Sequence, residues 1–62
     1  MNAHRVVDNT RSIAVMLRGS IIIDNKGRIF ERIYGCWVHS DEAYEMSQIV
    51  LPARVLMESW ER

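Results

Sequence analysis

From Ser12 to His39 apolar and other residues alternate along the chain. One set of alternate positions holds Ile13, Val15, Leu17, Gly19, Ile21 and Ile23, then Ile29, Glu31, Ile33, Gly35, Trp37 and His39. The other set holds Ala14, Met16, Arg18, Ser20, Ile22 and Asp24, then Arg28, Phe30, Arg32, Tyr34, Cys36 and Val38. A period of two is the mark of a strand whose two faces meet different surroundings. β-branched Ile and Val dominate the first set and suit a pleated, buried surface. The first face is therefore expected to be the core face, with Glu31 as its misplaced charge and His39 at its end.

The alternation is interrupted at Asp24-Asn25-Lys26-Gly27. Asp at the first position and Gly at the last are the residues of a type I turn closed by a left-handed glycine bulge. A hairpin centred there sets Ile23 opposite Ile29, Ile22 opposite Phe30 and Ile21 opposite Glu31. Gly19 and Gly35 then lie nearly opposite one another, and glycine inside a strand marks a bulge or bend. Residues 12–39 are thus expected to form a bent antiparallel hairpin. A second turn at Leu17-Arg18-Gly19-Ser20 would make it a three-stranded meander instead.

After His39 the period changes. Ser40 followed by Asp41 and Glu42 reads as a helix start, a capping hydroxyl with acids at the positive end of the dipole. Pro52 suits the first position of a further helix, in which Ala53, Leu56, Met57 and Trp60 would form an apolar stripe. The expected fold class is α+β, with the hairpin packed against one or two C-terminal helices over about residues 40–50 and 52–61. The competing reading places a strand through Met46–Leu51 and gives a small SH3-like β-barrel with a short terminal helix. Residues 1–11 are polar and turn-prone and read as a flexible N-terminal arm ahead of one small domain at 12–62. Within the arm, Arg5–Val7 is the one segment able to add as a strand to a sheet edge or to a partner.

Length sharpens this picture. A chain of 62 residues buries only about 60% of its unfolded surface, so small domains usually rely on a staple or a partner. One cysteine cannot close an intramolecular disulfide, and no structural metal set is present in the sequence. Hydrophobic residues nevertheless make up 48% of the chain. Together these favour a homodimer or a larger protein partner. The N-terminus lacks the apolar region of a signal peptide and no run is long enough to span a membrane, so a cytoplasmic protein without membrane contact is expected. Net charge is zero, divided as +3 over residues 1–35 and −3 over residues 36–62, which gives no strong general attraction to nucleic acid.

Candidate chemistry is sparse. Cys36-Trp37-Val38-His39 offers two metal-type ligands where a structural zinc site needs four, and on a strand the two side chains point apart. Asp41, Glu42 and Glu45 read as acids around a helix cap. Glu31 needs either a cation, with Arg54 the candidate, or an open face, because a buried lone carboxylate is too costly. The second hairpin face gathers Arg18, Arg28, Phe30, Arg32 and Tyr34, with Lys26 at the tip. Such a surface suits protein contacts, which favour Arg and aromatic residues. The alternative uses are base stacking with phosphate contacts, as in sheet-based single-strand binders, or a face covered by the C-terminal helices. No phosphate loop, dinucleotide fingerprint or catalytic triad is legible, and no cofactor is called for. The expectation is a non-enzymatic regulator, inhibitor or assembly subunit that binds a larger protein, of the size common among phage and mobile-element accessory proteins. A nucleic-acid-binding module is the alternative.

Overall fold

The Asp24-Asn25-Lys26-Gly27 turn forms as its residues dictate in the computed structural model, which describes residues 5–59. Gly27 takes φ +83° and donates its N–H to the Asp24 carbonyl at 2.9 Å. Around it the described residues build six strands: β1 (Arg5–Val7), β2 (Ile21–Ile23), β3 (Ile29–Ile33), β4 (Cys36–His39), β5 (Glu42–Tyr44) and β6 (Ala53–Met57). They form one antiparallel sheet in the order β1-β6-β2-β3-β4-β5. A short helix, α1 (Thr10–Ala14), and a 3-10 turn at Met46–Gln48 complete the fold. The β2–β3 register pairs Ile21 with Glu31, Ile22 with Phe30 and Ile23 with Ile29.

The α+β arrangement with C-terminal helices is overturned. Ser40 and Asp41 do not cap a helix; they adopt φ +52° and +67° and form the two-residue loop joining β4 to β5, where His39 pairs with Glu42. Positive φ at both central positions is the geometry of a type I′ hairpin turn. The expected second helix is strand β6, which follows a cis Leu51–Pro52 peptide and lies between β1 and β2. There it satisfies the outer backbone edge of β2, which a helix could not do. The SH3-like alternative fails on both particulars, since Met46–Gln48 is a 3-10 turn and Ala53–Met57 is a strand. Trp60 and residues 1–4 of the arm lie outside the described residues.

The N-terminal half differs as well. Arg5–Val7 is a paired edge strand rather than frayed chain, and Arg5 reaches Glu58 at 2.8 Å. Residues Thr10–Ala14, read as part of arm and strand, are helical because Asn9 caps them, its side-chain oxygen accepting the Ser12 N–H at 2.9 Å. Leu17–Ser20 is a tight turn with Gly19 at φ +97°, and Ser20 donates to the Leu17 carbonyl at 3.1 Å.

The core face is the opposite of the one expected. Ile22, Phe30 and Trp37 are fully buried beneath Ile13 of α1, with Met16, Ile49, Ala53, Val55 and Val7 around them. Trp37 lies on this side because of the break at Tyr34-Gly35, where the presumed continuous strand reverses. Ile33 pairs with Cys36 across it and Arg32 with Trp37. Paired residues share a face, so Trp37 joins Phe30 and leaves the side of Ile29 and Ile33.

Asp24 ties the second half of the chain to the first hairpin. It is 5% exposed. One carboxylate oxygen accepts the N–H groups of Lys26 at 3.0 Å and Arg28 at 2.9 Å. The other accepts Arg28 Nε at 3.1 Å, Arg28 Nη2 at 2.9 Å and the Val50 N–H at 3.2 Å. Asn25 donates to the Val50 carbonyl at 2.8 Å, and Arg28 Nη2 to that of Gln48 at 2.9 Å. Burial pushes the Asp24 carboxyl up, but the Arg28 guanidinium and the N–H groups of Arg28, Val50 and Lys26 outweigh it. The carboxyl is held below its ordinary range.

Three outcomes follow. A carboxyl depressed on folding stabilises the protein above the unfolded value near 4 and loses that contribution as pH falls through the folded value. Urea midpoints should therefore drop on acidification from about pH 6 to about pH 3, with a shallower acid slope in Asp24→Asn. Asp24→Ala should cost at least about 2 kcal/mol, because it leaves buried donors without an acceptor. Asp41→Gly should instead stabilise by about 0.5–1 kcal/mol, since glycine adopts positive φ without a Cβ clash. Urea denaturation of each variant measures both changes.

Candidate functional site

The six residues expected to make one contact surface are divided between core, rim and two ends of the sheet. Phe30 is fully buried. Arg28 is occupied by Asp24 and the Gln48 carbonyl, with its guanidinium carbon 5.3 Å from the ring centres of both Phe30 and Tyr44. Hydrogen bonding to Asp24 raises its pKa above an already high value. Arg32 is half-buried, 5.4 Å from the Trp37 ring centre. These two arginines cover the rim of the aromatic core, with their guanidinium groups against its rings. Arg18 and Tyr34 do meet in the open: the guanidinium lies 4.6 Å from the ring centre and donates to the Tyr34 hydroxyl. Lys26 is exposed at the turn closing the other end of the hairpin. Of the two aromatics on which the nucleic-acid alternative relied, Phe30 is enclosed, while Tyr34 is exposed and engaged by Arg18.

The surface that is presented is the face first taken for core. In the row across β1, β6, β2 and β3 it carries Val6, Arg54, Ile23 and Ile29. In the next row Met57, Ile21, Glu31, Val38 and Ala43 follow one another from β6 to β5. A register shift between Ile21 and Ile22 brings Met57 to this side. Exposure reaches 58% at Val6, 52% at Ile29 and Met57, and 37% at Ile33. Contiguous apolar exposure of this kind marks contact sites, whereas scattered single residues do not. Two opposite charges punctuate the surface, Glu31 and Arg54. Among the described residues neither takes part in a salt bridge, so Arg54 does not supply the cation that Glu31 was expected to need within one chain. Glu31 tolerates its place because the face is open.

Sequence reasoning identified this set of isoleucines but assigned it to the core, and it placed Val6 in the N-terminal arm and Arg54 and Met57 in a C-terminal helix. The available signal was Glu31 itself, since a charge at the centre of an apolar strand face argues for solvent on that side.

Other constellations resolve simply. Cys36 and His39 fall on opposite faces, the imidazole lying with Phe30 and Tyr44 and its Nδ1 3.0 Å from the Ile29 carbonyl. Among the described residues no group of three potential metal ligands occurs. Asp41, Glu42 and Glu45 are exposed along the β5 side of the molecule. An open cleft of about 360 Å³ lies between the Asp24–Gly27 turn and the start of β6, bordered by Val6, Ile23 and Pro52. Its one carboxylate, Asp24, is the one already engaged by Arg28. Among the described residues no helix is long and apolar enough to cross a membrane. No protein-family model matches the chain, and no curated protein or solved structure does either.

The reassignment of the two faces has a direct readout. Phe30→Ala should cost about 3–5 kcal/mol, comparable with the whole stability of about 3–9 kcal/mol for a domain of this length. Arg18→Ala removes only an exposed pair and should shift stability by less than about 1 kcal/mol. Far-UV circular dichroism with a urea titration separates the two.

Proposed function

We propose that this chain is a non-enzymatic protein–protein interaction module, a regulator, inhibitor or assembly subunit that works by occupying a surface on a larger protein. The observation that carries this reading is the open sheet face of Ile21, Ile23, Ile29, Ile33, Val38 and Met57. An isoleucine-rich strand face with one positive and one negative residue lacks the excess of cations that phosphate contacts require. It matches the centre of a protein interface, where charges are few and large apolar side chains make the contact. The chain also gains from such a partner, because a single sheet under one short helix leaves much of its apolar surface uncovered. The face is formed by paired strands, so a partner need not order it on docking.

Replacing Ile29 by a photo-crosslinking phenylalanine analogue tests the reading in cells of the native host. Irradiation should give a protein adduct of larger mass, while the same probe at exposed Val15, on the α1 side, gives little. Absence at Ile29 of an adduct to a protein other than a second copy of this chain, or equal labelling from Val15, would overturn the proposal.

A further inference from the structure

Glu31 and Arg54 lie in neighbouring rows of the sheet, two strands apart, with Ile21 and Ile23 of β2 between them. Their separation along the face is roughly 12 Å, from strand spacing and a two-residue offset. Consider a two-fold axis lying in the plane between two such faces and crossing midway between these charges. It exchanges the two positions, so that Glu31 stands over Arg54 of the second copy and Arg54 over its Glu31. Stacked sheets sit about 10 Å apart, a gap that a Glu and an Arg side chain span together. Ile21 and Ile23 then pack on the axis against their own equivalents. An isologous contact requires this kind of self-complementarity, in which each patch meets the same patch reversed.

Size and edges agree with this geometry. The two longer dimensions of the molecule, 32 and 28 Å, enclose at most roughly 900 Å², of which the apolar rows occupy a part. The contact is thus smaller than the about 800 Å² per partner of a standard specific interface and suits a dimer that dissociates on dilution. Association through the sheet edges is disfavoured by comparison. β1 and β5 are three residues each, Arg5 on the first is ion-paired to Glu58, and Glu42 lies on the second. Short, charged edge strands resist pairing with another chain.

We infer that the free protein is a homodimer in which two open faces stack as a sandwich, cross-linked by reciprocal Glu31–Arg54 ion pairs. The inference rests on the reading of that face as a contact surface and adds its regulation. With the face closed by a second copy, engagement of a larger protein competes with self-association.

Sedimentation velocity over a dilution series tests the inference. The wild-type mass should approach twice 7.3 kDa at high concentration and fall toward the single-chain value on dilution. Glu31→Arg and Arg54→Glu occupy exposed positions and should fold normally by circular dichroism, yet each should weaken self-association at least about tenfold by opposing like charges. Mixing the two single variants should restore dimers, because both cross-face pairs then join opposite charges. A wild-type chain that stays monomeric throughout overturns the inference, as does a mixture no more associated than its components. The Ile29 crosslink keeps the two readings apart. A larger adduct from a chain that is monomeric when free sinks the dimer alone, and a dimer with no larger adduct sinks the larger partner alone.

Discussion

The Asp24 carboxylate is the constraint on which the rest of this small structure depends. It closes the turn between β2 and β3 through the N–H groups of Lys26 and Arg28, and so sets the register that places Ile22 opposite Phe30. With its second oxygen it holds Arg28 and the Val50 N–H. The first function is local and the second is long-range. Together they bring the segment after the 3-10 turn back to the start of the sheet, from which β6 runs between β1 and β2. A buried carboxylate could not persist without this set of donors, and the donors would be left without an acceptor if it were removed. The clamp therefore supplies specificity as much as stability, joining the ends of a sheet whose strands are only three to five residues long.

The legible parts of the sequence were those where the backbone leaves little choice of residue. Asp24 and Gly27 announce a turn because its geometry needs an acceptor at one end and positive φ at the other. Ser40 and Asp41 gave the opposite signal, since they are good helix caps placed in a hairpin loop that usually takes Asn-Gly. Helix α1 was hidden for another reason. Five residues are too few to display a helical period, and only Ile13 within it is buried. The apolar stripe of Ala53, Leu56 and Met57 was real in spacing. Yet it is equally consistent with a strand whose pattern shifts by one residue where β6 meets β2.

Alternation defines two faces and says nothing about which one is covered. That decision came from outside the hairpin, from α1 and the 3-10 turn, neither of which was recognised. One two-residue break at Tyr34-Gly35 then carried Trp37 across to Phe30. The arginines and aromatics of that side looked like a binding surface because a core rim and an interface use the same residue types. Each needs apolar area beneath and a charge able to reach water. Arg28 and Arg32 do the first job here. Glu31 was the better guide, since a carboxylate can stay on an apolar face only if that face is wet or is met by a cation from elsewhere.

A partner on the open face would couple folding to association in a molecule of this shape. One helix of five residues can shield one side of a six-stranded sheet, and the other side remains as a row of isoleucines. Polar residues there would have made a more soluble monomer, but strands of three residues depend on β-branched side chains to hold them extended. The same isoleucines thus support the strands and present the surface. Any protein that covers them binds the folded chain and not the unfolded one, so its binding energy adds to folding stability. Under the dimer inferred above, stability would rise with protein concentration, and Glu31 and Arg54 would select the partner by charge.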